Sequence, residues 1–154
     1  MADFITTTIH VKGIAKAPFY TDGDFDFDKL IPSPRDEKDY DAQKYGATRG
    51  VQIEEDRPWF NWYNWNRENW GTKWNACETV IIDDDTISFE TPWNPPFPVL
   101  QAISEYFKDE EMEVSAKYWD DSVTKFWSID GGVFKIEEYG PNGELERKEE
   151  FSPD

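Results

Sequence analysis

Apolar and polar positions alternate from Phe4 to Val11, with Ile5, Thr7, Ile9 and Val11 on one side and Thr6, Thr8 and His10 on the other. This pattern predicts a half-buried strand ended by Gly13. The same two-residue period recurs in Asp22-Gly23-Asp24-Phe25-Asp26-Phe27-Asp28, with the phenylalanines inward and four carboxylates outward, until Leu30-Ile31-Pro32-Ser33-Pro34 ends it. Residues 36–50 are polar, mixed in charge and aperiodic, and predict a long surface loop. From Asp56-Arg57-Pro58 the period becomes helical. Trp59, Trp62, Tyr63, Asn66 and Trp70 share one face, Trp65 points elsewhere beside Asn61 and Asn69, and Gly71 is the stop.

Trp74 to Ile82 reads as a strand, Asp83-Asp84-Asp85 as a turn and Thr86 to Thr91 as the returning strand. Asn94-Pro95 has the form of an N-cap followed by proline at the first helical position. Behind it, Val99, Leu100, Ile103, Tyr106 and Phe107 form one helical face. Met112 to Trp119 alternates again, followed by short strands at Thr124–Ile129 and Val133–Tyr139 about a Gly131-Gly132 turn. Pro141-Asn142-Gly143 is a hairpin signal, with Glu144 to Phe151 returning. The skeleton is βαββαβ. The expectation is therefore one α+β domain over residues 1–154, with a ferredoxin-like antiparallel sheet, two helices on one face and an added C-terminal β-hairpin.

Composition changes this picture in two ways. The chain has 154 residues with 33 acidic against 16 basic side chains, a net charge of −17. Such a surface repels phosphates and anionic membranes, which argues against direct nucleic-acid or membrane binding and for a basic partner, a cation or simple solubility. High charge with few aliphatics borders on the composition of disordered chains. Eight Trp, seven Tyr and eleven Phe supply the missing apolar area, so the expected core is aromatic. Only three leucines (Leu30, Leu100, Leu145) argue against a helical bundle.

Little supports enzyme chemistry. The single cysteine, Cys77, excludes an internal disulfide or a four-cysteine metal site, and the single histidine, His10, excludes a histidine-rich one. No phosphate loop, dinucleotide fingerprint or zinc motif is present. The Asp22-x-Asp24-x-Asp26 spacing fails the calcium-loop template, because Phe27 and Ser33 stand where it needs Gly and Glu. No catalytic residue, metal or cofactor is expected. Met1-Ala2-Asp3-Phe4 is no signal peptide and no apolar run is long enough to span a bilayer, so a soluble chain in a reducing compartment is expected.

Asn69-Trp70-Gly71-Thr72-Lys73-Trp74-Asn75-Ala76, preceded by Trp62-Tyr63 and Trp65, resembles the central motif of a phage- and plasmid-encoded family with a YubB-type ferredoxin-like domain. Phe27-Asp28-Lys29-Leu30-Ile31-Pro32-Ser33-Pro34 and Phe89-Glu90-Thr91-Pro92-Trp93-Asn94-Pro95-Pro96 resemble two further segments of that family. The resemblance implies the fold, a mobile-element origin and a location in the cytoplasm of a bacterial host. It brings no catalytic residues. The chain departs from the family pattern in its acidic excess and in a segment before Asp22 too short for a full first helix.

Two candidate surfaces follow. Residues two apart on a strand lie roughly 6.6–6.8 Å apart, so Asp22, Asp24, Asp26 and Asp28 would form a phosphate-like ladder, extended by Asp83, Asp84 and Asp85. Adjacent acids at Glu54-Glu55-Asp56, Asp109-Glu110-Glu111 and Asp120-Asp121 could enlarge it. This predicts a non-enzymatic interaction protein that inhibits a host defence or nucleic-acid-binding protein by occupying its basic surface. The alternative is a small-ligand or nucleotide site built from Trp65, Asn66, Lys73 and Trp74. A third reading is an accessory phage protein whose charge serves solubility alone.

Overall fold

The computed structural model describes residues 4–46, 57–118, 124–130, 133–140 and 144–151. Strand β1 (Phe4–His10) alternates as its sequence requires, with Ile5, Thr7 and Ile9 buried. It lies between β5 (Thr86–Pro92) and β6 (Met112–Tyr118), antiparallel to both. The register sets Ile9 opposite Ile87 and Val114, and Thr7 opposite Phe89 and Ala116, so the buried positions of the three strands share one face. Polar Thr6, Thr8, Ser88 and Ser115 take the other face. Strand β4 (Cys77–Asp83) pairs with β5 on the outer side.

Helix α2 (Trp62–Asn69) precedes β4, and α3 (Phe97–Tyr106) lies between β5 and β6. Trp65 of α2 and Val99, Leu100 and Ile103 of α3 join the same core as the sheet. The order β4-β5-β1-β6 with these helices is the ferredoxin-like arrangement, as expected. Three more strands, β7 (Thr124–Asp130), β8 (Val133–Tyr139) and β9 (Leu145–Phe151), continue from β6 and complete an antiparallel seven-stranded sheet. The C-terminal hairpin therefore extends the sheet. Among the described residues no helix is long and apolar enough to cross a membrane.

The core is aromatic. Phe25 stacks on Phe89 at 5.5 Å, Phe27 meets Phe89 and Trp70 edge-on, and Trp70 leads through Trp65 and Phe60 to Tyr40 and Tyr45. Each such pair contributes about 0.5–1.5 kcal/mol beyond area burial.

Several expectations are corrected. The strand read over Asp22–Asp28 is a tight hairpin, β2 (Tyr20–Thr21) and β3 (Asp24–Phe25), followed by a 3-10 turn at Phe27–Lys29. Asp22 and Gly23 both have positive φ (52° and 89°), the geometry of a two-residue hairpin turn. The loop read at 36–50 contains a 3-10 turn at Glu37–Asp39 and one helical turn, α1 (Ala42–Tyr45), because buried Tyr40 and Tyr45 anchor it to the aromatic chain. Helix α2 starts at Trp62, not near Pro58, because the Asn61 side chain accepts the Asn64 N–H and caps it. Helix α3 starts at Phe97, after Pro96 rather than after Asn94. The sequence features at 47–50, Glu54-Glu55-Asp56, Trp119, Asp120-Asp121, Gly131-Gly132 and Pro141-Asn142-Gly143 lie outside the described residues.

Candidate functional site

Four of the predicted acids lie on the β2–β3 hairpin and the turn after it, where the backbone no longer runs straight. Asp24 Oδ1 accepts the Thr79 N–H, and the Thr79 hydroxyl accepts the Phe25 N–H, which clamps β3 to the first half of β4. Asp26 caps the 3-10 turn. It accepts the Asp28 N–H and the Asn75 Nδ2 on Oδ1, and the Thr21 hydroxyl on Oδ2. Asp28 accepts the Ser33 N–H and pairs with Arg35. Of the four, Asp22 and Asp24 are exposed, and Asp26 and Asp28 are half-buried. The phosphate-like ladder is therefore broken: Asp26 and Asp28 bind N–H groups of their own turn, Asp24 clamps β3 to β4, and Asp22 takes a left-handed turn position.

Asp83, Asp84 and Asp85 form the β4–β5 turn. Asp83 accepts the Asp85 N–H at 2.9 Å, and this bond, helped by the Thr86 hydroxyl, holds its carboxyl below the ordinary range. Asp85 accepts the Gly13 N–H. Asp83 and Asp84 are exposed. Just before them, Val80, Ile81 and Ile82 are 54%, 53% and 56% exposed, although their β-branched run reads as buried strand. The cause is topological. β4 is the last strand of the sheet, and beyond Thr79 no described residue pairs with its outer edge.

The second candidate group divides. Trp65 is buried at 7% exposure, edge-on to Trp70 and beside Phe60, and serves the core instead of presenting a platform. Asn66 and Trp74 do share a cavity of about 490 Å³. Trp62 and Trp70 line it with them, and Asp26, Asp28, Ser33, Arg57, Phe60 and Asn75 complete the lining. Asn66 gives its Nδ2 to the Lys73 carbonyl, and Trp70 gives its Nε1 to the Ile31 carbonyl. Asn75 orders the floor by accepting the N–H groups of Phe27 and Ala76. Lys73 Nζ lies 4.9 Å from the Trp74 ring and 4.8 Å from the Trp93 ring, held between them as a cation–π sandwich.

The carboxylates and Arg57 in the lining were not among the predicted ligand residues. The available signal was the Asp22-Gly23 pair, a strong hairpin marker that folds residues 24–28 back toward Asn75. Cys77 is half-buried, and burial raises its thiol pKa, which fits a packing role better than a reactive one.

The topology and the cavity define a ferredoxin-like α+β domain with a tryptophan-walled pocket at one end of β4 and an open apolar edge at the other. Residues 69–126 match a family described as the ferredoxin-like domain in Api92-like protein, a match that starts at Asn69 and runs through β4, β5, α3 and β6. Neither the curated proteins nor the solved structures contain a match to the chain.

Proposed function

We propose that this chain is a non-enzymatic interaction protein that engages a basic protein along the β4 edge. The observation that carries the reading is the exposure of Val80, Ile81 and Ile82 on an edge strand that runs directly into Asp83-Asp84-Asp85. An open edge offers main-chain hydrogen bonds to an added strand. The acids select a strand bearing lysine or arginine, and a net charge of −17 opposes pairing with a second copy. The opposite edge strand, β9, mixes Arg147 and Lys148 with Glu146, Glu149 and Glu150 and has no apolar run like Val80–Ile82.

In this reading the partner's basic surface is one that otherwise takes nucleic acid, and the chain inhibits it. The overall field supports this competition, not a ladder of Asp22, Asp24, Asp26 and Asp28. The mobile-element origin implied by the Asn69–Ala76 resemblance supports a host defence component in the bacterial cytoplasm as the target. A nucleotide in the cavity is disfavoured on electrostatic grounds, since Asp26 and Asp28 line it and Lys73 is held between two rings.

Calorimetry with an alternating valine–lysine decapeptide tests the reading. The unaltered chain is expected to bind it, with affinity falling as salt rises. Ile81→Lys and the triple change of Asp83, Asp84 and Asp85 to Asn are each expected to weaken binding by about tenfold or more. Affinity that neither change nor salt alters would contradict it.

A further inference from the structure

We infer that the cavity beside α2 takes the guanidinium of an arginine side chain presented by the partner. This inference rests on the proposed engagement of a basic protein and names a second contact for it. Asn75 in the lining lies just before β4, so along that strand the cavity is roughly 17 Å from the start of the open stretch at Val80 and roughly 26 Å from its end at Asp83. One extended partner segment can reach both.

The lining selects for a donor-rich cation. Several of its donors are already committed: Trp70 Nε1 to the Ile31 carbonyl, Asn66 Nδ2 to the Lys73 carbonyl, Asn75 Nδ2 to Asp26, and Arg57 Nη1 to the Ser33 hydroxyl and the Pro34 carbonyl, with the Arg57 guanidinium held over the Phe60 ring. Acceptors remain. A carboxylate has about four lone-pair sites. Asp28 receives only the Ser33 N–H and the Arg35 guanidinium from the described residues. Asn66 is 6% exposed, yet its Oδ1 accepts no hydrogen bond from the described residues and is not sealed from solvent. A ligand that brings an N–H can take the place of water on this acceptor.

The walls are equally selective. Trp62, Trp70 and Trp74 offer ring faces that attract cations. The chain itself shows both interactions nearby: Lys73 sits over Trp74, and Arg35 pairs with Asp28. A guanidinium combines them, since it stacks flat on an indole while its edge donates to carboxylate and amide oxygens. A phosphate or carboxylate ligand would meet two carboxylates, Asp26 and Asp28, against the one lining cation, Arg57.

The test titrates the isotope-labelled full chain with N-acetyl-arginine amide and with its neutral isostere N-acetyl-citrulline amide, following the indole N–H signals of Trp62 and Trp74 and the Asn66 side-chain amide by NMR. The expected result is saturable shifts of these signals, with arginine bound at least about tenfold more tightly than citrulline. Trp62→Leu, at a half-exposed position, is expected to abolish the response. Because the citrulline comparison uses the unaltered chain, it remains decisive even if that variant folds poorly. Equal affinity for the two amides, or no shift at these groups, would overturn the inference. Tighter binding of spermidine at the same signals would also overturn it, in favour of a free polyamine. A chain that binds the valine–lysine peptide but not arginine amide loses this pocket role and keeps the proposed function. Arginine binding without peptide binding does the reverse.

Discussion

Thr7 sits in the middle of β1 with a hydroxyl that finds no partner among the described residues. Its methyl packs in the core, while its oxygen carries a desolvation cost without a compensating hydrogen bond. Thr7→Val keeps the shape and removes that oxygen, so it is expected to raise unfolding free energy by about 1 kcal/mol, measured by urea denaturation. Tyr20 titrates in the opposite pH range from the acids. Its hydroxyl donates to the Ile14 carbonyl, and burial pushes its pKa from 10.0 up to about 12. Between those values the unfolded chain loses the proton first. The contribution to stability is whole below pH 10 and declines as pH rises toward 12. Urea midpoints between pH 9 and 11 should therefore fall, with a smaller slope in Tyr20→Phe. At this scale Asn66, read from sequence as part of an alternative ligand site, lines the cavity and also donates to the Lys73 carbonyl. Sequence reasoning misjudged Trp65, because the side of α2 that meets the core carries Trp65 and Asn66 and leaves Trp62 and Tyr63 half-buried. The cation–π role of Lys73 depends on Trp93, which is distant in sequence and held at φ 66°.

Among the elements, those with long periodic patterns were legible: β1, β5, α3 and β6 follow directly from their apolar spacing. The β2–β3 hairpin was obscured, because alternating Asp and Phe imitate a strand while each Asp binds a nearby or facing backbone N–H. Exposure on β4 was also hidden, since β-branched composition reports strand propensity and not position in the sheet. The α2 stop was legible and is doubly fixed. Gly71 has φ 79°, and a Cβ there would lie 2.6 Å from Pro98 Cδ at the start of α3. Gly71→Ala is thus expected to destabilise the fold by about 2 kcal/mol or more, because left-handed strain adds to a clash with a rigid ring. Thermal denaturation beside an exposed control such as Ala42→Gly would measure it.

For the whole molecule, the charge of −17 is arranged as well as abundant. Part of it is tied into the fold, with Asp26 and Asp28 binding turn N–H groups nearby and Asp24 and Asp85 binding N–H groups of distant segments, and part stands at the end of an open apolar edge. Composition carries only the sign of the molecule's field, and the sheet order adds that the outer edge of β4 beyond Thr79 is left open among the described residues. The most direct measurement is hydrogen exchange on the full chain with and without the valine–lysine decapeptide. The account predicts that the amides of Val80–Asp83 that face away from β5 exchange quickly in the free chain and become protected with the peptide, while those of β9 do not change. Protection at β9, or exchange at those outward-facing amides that the peptide leaves unaltered, would contradict it.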